Sequence, residues 1–138
     1  MDRARALFRD QLGIRDSAVL EGENPDGGYV RAEFSWVGTL MYELIHAAGP
    51  GTEIFSGHLS QTDDFLVKHH HLGYLVQNQA QWDAVEANAQ RAGLETVGHG
   101  KNALVEFCFV DVPPCGHYLE YLFATEAGLG FFESVPRN

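Results

Sequence analysis

Three ionisable residues stand where the surrounding pattern calls for apolar ones: Glu43 in Tyr42-Glu43-Leu44-Ile45, His71 in His70-His71-Leu72-Gly73-Tyr74, and Glu120 in Gly116-His117-Tyr118-Leu119-Glu120-Tyr121. Strand side chains alternate between faces, so Met41, Glu43 and Ile45 share a side, as do His69, His71 and Gly73, and Tyr118, Glu120 and Leu122. Should those sides converge, one imidazole and two carboxylates meet. Two carboxylates in an apolar cup lose their hydration and repel each other. A divalent cation removes both objections, and metal ligation by His71, Glu120 and Glu43 is the chemistry expected of the trio.

Each residue also has a plainer reading. His71 could be a packed, hydrogen-bonded core histidine, and Glu43 a charge that protects a sheet edge from aggregation. Glu120 is harder to explain that way, because buried carboxylates are rare without a partner. Of the neighbouring histidines, alternation turns His70 away from His71 and leaves His69 a full pleat off, near the strand entrance. His46, His58, His99 and His117 read as surface or turn residues, with His99 and His117 able to line a pocket mouth. The aromatic run Phe107, Phe109, Tyr118, Tyr121, Phe123, Phe131 and Phe132 reads as core and helix-packing material rather than a ligand cage. Cys108 and Cys115 have no CxxC spacing and no assigned base. Both are expected to be reduced thiols without a nucleophilic role.

The elements that must carry these residues follow from periodicity. Residues 2–12 are amphipathic and followed by Gly13, which predicts a short helix with a glycine stop. Ala18 to Glu21, Tyr29 to Val37 and Leu40 to Ala47 read as three strands, the first two separated by the turn Asn24-Pro25-Asp26-Gly27-Gly28. Residues 51–68 have no clean period and read as a connector. His69 to Val76 reads as a strand, and Gln79 to Ala92 as a helix with Trp82, Val85 and Ala89 at helical spacing before Gly93. A second meander follows: Glu95 to Val97, a turn at Gly98-His99-Gly100, Leu104 to Val110, a Pro113-Pro114 corner, and His117 to Phe123.

The halves share one order: a helix ending in glycine, then three strands, the last carrying a glutamate. This is an internal duplication. The second half also has a strand ahead of its helix. His71 lies 22 residues before Gly93 and 49 before Glu120, so its counterpart would stand roughly six to nine residues ahead of Met1. The expected organisation is one domain over 1–138, with a first module at 1–50, a connector at 51–68, a second module at 69–124 and a C-terminal tail at 125–138.

Composition narrows the function classes. With 138 residues, 45% hydrophobic and 20% charged, the chain has the make-up of an ordinary globular domain. A formal net charge of -10 repels phosphate backbones and anionic membranes, which argues against nucleic acid and membrane partners. No apolar run approaches the length a bilayer demands, and the charged start lacks the apolar stretch of a signal peptide, so a cytoplasmic protein is expected.

Four segments, in order, carry a resemblance to the vicinal oxygen chelate superfamily, which includes glyoxalases, bleomycin-resistance proteins and extradiol dioxygenases. Residues 3–13 look like the helix after that superfamily's first strand, and Tyr42-Glu43-Leu44-Ile45 resembles the end of its first module. His70-His71-Leu72-Gly73-Tyr74-Leu75-Val76 resembles the opening of the second module, and Gly116-His117-Tyr118-Leu119-Glu120-Tyr121 its closing strand. The resemblance spans nearly the whole chain. It implies an α+β fold of two βαβββ modules forming an open, U-shaped mixed sheet, here with the first strand of the first module absent, and often a homodimer. It also implies a divalent metal (Zn, Ni, Co, Mn or Fe) on Glu43, His71 and Glu120. The implied activity is that of a lyase, isomerase or epimerase on a small, enolisable vicinal-oxygen substrate, through an enediolate-type intermediate, with Glu120 or Glu43 as both ligand and base. Two alternatives remain open at this stage. One is a metal-free cup that sequesters a small molecule, as bleomycin-resistance proteins do. The other is an extradiol-type dioxygenase, which would call for two histidines and one carboxylate.

Overall fold

Two helices end on a glycine in the left-handed region, Gly13 at φ 72° and Gly93 at φ 70°, and each is followed by three antiparallel strands. The computed structural model describes residues 1–57, 59 and 64–138. The chain divides into two units, Met1–Lys68 with Ser134–Asn138, and His69–Glu133.

In the first unit, α1 (Asp2–Leu12) precedes β1 (Ala18–Glu23), β2 (Tyr29–Val37), β3 (Leu40–Ala48) and the single turn α2 (Glu53–Ser56). The sheet order is β1-β2-β3, all antiparallel. Helix α1 docks on the sheet with Ala4 buried and with Phe8 edge-on to Tyr42 of β3, ring centroids 6.0 Å apart. The last residues of the chain return to this unit. Where β1 has run out, Trp36 of β2 donates its amide to Pro136 O at 2.8 Å and accepts from Asn138 N at 2.9 Å, while Val135 is buried at 2% exposure. The Asn138 side chain adds hydrogen bonds from the backbone N–H groups of Arg15 and Asp16.

The second unit has the complete order: β4 (His71–Leu75), α3 (Gln79–Arg91), β5 (Glu95–Lys101), β6 (Val105–Val112), a single 3-10 turn (Pro113–Cys115), β7 (His117–Ala124) and α4 (Glu126–Ser134). The sheet order is β4-β7-β6-β5, with β4 parallel to β7 and the other pairs antiparallel. Helix α3 starts where expected because Asn78 Oδ1 accepts from Gln81 N at 3.0 Å and Gln81 Oε1 accepts from Gln77 N at 2.8 Å, which satisfies amides that the helix leaves open. The α+β class and the module order are therefore those read from the sequence. The duplication extends to cross-strand pairs: Phe34 of β2 faces Glu43 of β3 in register, and Phe109 of β6 faces Glu120 of β7, both phenylalanines being buried.

Two local readings change. The expected turn at Gly98-His99-Gly100 lies inside β5, which continues to Lys101 through an irregularity between Thr96 and Gly98. Glycine stands at 100 because a Cβ there would lie 2.2 Å from the ring of its cross-strand partner Phe107. Residues 125–138, expected as a tail, contain α4. Its two glycines hide the helical pattern, and Gly128 is needed because a Cβ there would lie 2.1 Å from Leu104 O.

Candidate metal centre

β4 and β7 run side by side in parallel, with His71 opposite Tyr118 and Gly73 opposite Glu120. Residues i and i+2 share a face, so His71, Gly73, Tyr118 and Glu120 all project from one side of the sheet. Gly73 places no side chain beside Glu120 and Leu122. A Cβ there would press on Leu122 Cδ1 at 3.2 Å and come into ordinary contact with Glu120 Oε2 at 3.4 Å. His71 Nε2 and Glu120 Oε2 are 3.3 Å apart, and each side chain is only 10% exposed. Gly73 is the residue that sequence reasoning passed over. The signal was its place two residues after His71 on the same face.

The other imidazole nitrogen of His71 is also engaged. Nδ1 of His71 and Nδ1 of His70 are 2.8 Å apart, so one nitrogen holds the proton and the other accepts it. When His71 is the donor, its Nε2 is left with a lone pair facing Glu120, the tautomer that a metal ligand requires. This corrects the expectation that His70 turns away. His70 precedes the first residue of β4, so the pleat does not dictate its direction, and its ring packs edge-on to His71, Phe109 and Tyr118 at centroid distances of 5.1, 5.5 and 5.2 Å.

Aromatic rings close off the pair. Phe109, 2% exposed and in register with Glu120, has its ring centroid 5.4 Å from that of His71. The aromatic run thus divides by parity. Phe107, Phe109 and Tyr118 share the face of Glu120, while Tyr121 and Phe123 take the helix face, where Phe123 stacks on Trp82 of α3 at 6.1 Å. His69 packs at a tilt against His117, ring centroids 4.6 Å apart. His46 and His99 are exposed on β3 and β5, and His58 lies outside the described residues. Glu43 occupies the fourth position of β3, as Glu120 does of β7, and is half-buried in the first unit.

The buried pair suits a cation. Metal–nitrogen and metal–oxygen bonds of about 2.1 Å place two donors of one ion roughly 3–3.4 Å apart, which matches the 3.3 Å between Nε2 and Oε2. Thiol chemistry is disfavoured beside it. Cys108 is buried, and burial, with the nearby Glu120 charge, pushes its thiol up to about 11, so it stays protonated at neutral pH. Cys115 is exposed.

No protein-family model and no curated protein matches the chain. Among solved structures it is similar to a glyoxylase/bleomycin resistance protein/dioxygenase domain from Frankia sp. EAN1pec, at 17% identity over 91% of this chain and 89% of that one, with a TM-score of 0.37. It is also similar to a glyoxalase family protein from Enterococcus faecalis, at 18% identity over 88% and 87% of the two chains, with a TM-score of 0.34.

Proposed function

We propose that His71, Glu120 and Glu43 hold a divalent metal ion, and that the chain is a glyoxalase-like lyase, isomerase or epimerase acting on a small substrate with an enolisable carbonyl beside a second oxygen. What carries the reading is the buried imidazole–carboxylate pair, two unlike donors at ligand separation. Glu43 joins the set by the internal repeat, as the first-module counterpart of Glu120 that also faces a buried phenylalanine.

A bound divalent ion would supply Lewis acidity to the vicinal oxygens, which makes the neighbouring C–H more acidic. The protein's own groups do the rest. Glu120 would remove the proton beside the carbonyl and return it to the adjacent carbon on the same face; inversion at one carbon would need Glu43 to return a proton from the other face. His70, by accepting from His71 Nδ1, would leave the Nε2 lone pair free for the metal. Phe109 and Tyr118, on the same face as the carboxylate, supply apolar ring surface beside it.

The test is solvent deuterium exchange, followed by NMR on a panel of hydroxyketones, thiohemiacetals and acyl-CoA thioesters with metal-loaded protein. Exchange at one C–H of at least one member is expected, with a loss of about a hundredfold or more in Glu120→Gln. No exchange on any member would sink the enzymatic reading.

A further inference from the structure

The opposite face of the first sheet carries a different chemistry. Between α1 and the sheet lies a cleft of about 340 Å³, lined on the sheet side by Glu33, Ser35, Tyr42 and Leu44. Strand alternation sends these to the face away from Phe34 and Glu43, so the cleft is separate from the proposed metal ligands. Its walls hold Arg5, Arg9, Arg15 and Arg31, four of the nine basic side chains in a chain of net charge -10.

Glu33 is the one carboxylate among the lining residues, and its charge is already spent. It is 6% exposed and accepts from Arg5 Nε at 2.9 Å and Arg31 Nε at 2.8 Å. That clasp fixes two guanidiniums as a rigid wall. Arg5 and Arg31 also reach Asp2 and Glu21 at the rim, and Arg9 pairs with the exposed Asp10. The Arg15 guanidinium makes no hydrogen bond or ion pair among the described residues and is exposed at the mouth. The lining also includes the apolar side chains of Phe8, Ile14, Val19 and Leu44, interleaved with the arginines, and Phe8 and Tyr42 are in edge contact.

The second unit supplies an internal comparison. The equivalent gap between α3 and its sheet is about 450 Å³, yet no charged side chain lines it. The repeat accounts for a gap between helix and sheet in both units. It does not account for four arginines in one of them.

We propose that the α1 cleft binds a small organic monocarboxylate, its acid head held by the guanidiniums of Arg9 and Arg15 and its apolar body against Phe8, Tyr42 and Leu44. Guanidinium presents a planar fork that matches carboxylate in two parallel hydrogen bonds, and the apolar side chains select against small inorganic anions. Binding here needs no metal.

The experiment is an NMR titration of the full chain, treated with chelator, using benzoate as probe and benzyl alcohol as its neutral counterpart. Saturable benzoate shifts are expected at the Nε–H signals of Arg9 and Arg15 and at the Ser17 amide, with benzyl alcohol at least about fivefold weaker. Arg9→Gln with Arg15→Gln, both at exposed positions, should weaken benzoate by about tenfold while leaving the amide spectrum folded. Equal binding of the alcohol, benzoate binding unchanged in the double variant, or shifts confined to Tyr74, Val85 and Leu119 of the second unit would each overturn the proposal.

Discussion

Gly73 stands beside the groups that do chemistry, on the same face as His71 and Glu120. A side chain larger than methyl at 73 would contest the space beside Glu120 and Leu122. Gly73→Val is therefore expected to lower metal affinity by about 10–100-fold, as loss of a supporting contact around a ligand does, while Tm changes by only a few degrees. Isothermal titration with Zn and a thermal melt would separate the two effects. Cys108 gives a second prediction. Its thiol ordinarily titrates near 9.0, and burial raises that to about 11 in the folded protein. The folded state thus keeps a proton that the unfolded state has lost, so stability is intact below pH 9 and drains away as the pH rises towards 11. Urea denaturation over that range should show an alkaline loss of about 2–3 kcal/mol that Cys108→Ala lacks. Glu120 and His71 were legible in the sequence because each interrupts an apolar strand. The His70 contact was not, because it depends on where β4 begins, and a shift of one residue decides whether the pleat governs a side chain.

Among the elements, those with a clean period were legible, while two whose glycines mimic turn or tail signals were not. Helix α1 and strand β2 fall on the residues their patterns indicate, and α3 and β3 fall within one residue. The second half of β5 and the whole of α4 were misread for one reason. Gly100 and Gly128 look like turn and tail signals, yet both serve close approach, the first to the Phe107 ring and the second to the Leu104 carbonyl. The two sites should respond differently to a methyl group. In Gly100→Ala the Phe107 ring can rotate away, at a cost of about 1–2 kcal/mol. In Gly128→Ala the obstacle is backbone, so α4 must lift off, and a loss of about 3 kcal/mol or more is expected. Chemical denaturation of the two variants would check the order, and equal costs would mean that α4 is not seated through Gly128.

For the whole molecule, the duplication is the fact from which most else follows. It was legible because helix, glycine stop and three strands recur, and the structure adds the paired contacts Phe34 with Glu43 and Phe109 with Glu120. The return of the last residues to β2 could not be read, since a lone bridge at Trp36 and the side-chain bonds of Asn138 leave no period in a sequence. The same duplication leaves β3 with one neighbour in its sheet where β7 has two. The homodimer that the resemblance implies can be checked by sedimentation equilibrium, where twice the chain mass of 15.3 kDa is expected. The central claim, however, is that an imidazole and two carboxylates hold a metal. Elemental mass spectrometry on untagged protein, for wild type, His71→Ala and Glu120→Ala, tests it most directly. Close to one divalent ion per chain is expected in the wild type, and little or none in either variant while both remain folded. A wild type that takes up no metal even after reconstitution, or variants that retain it in full, would contradict it.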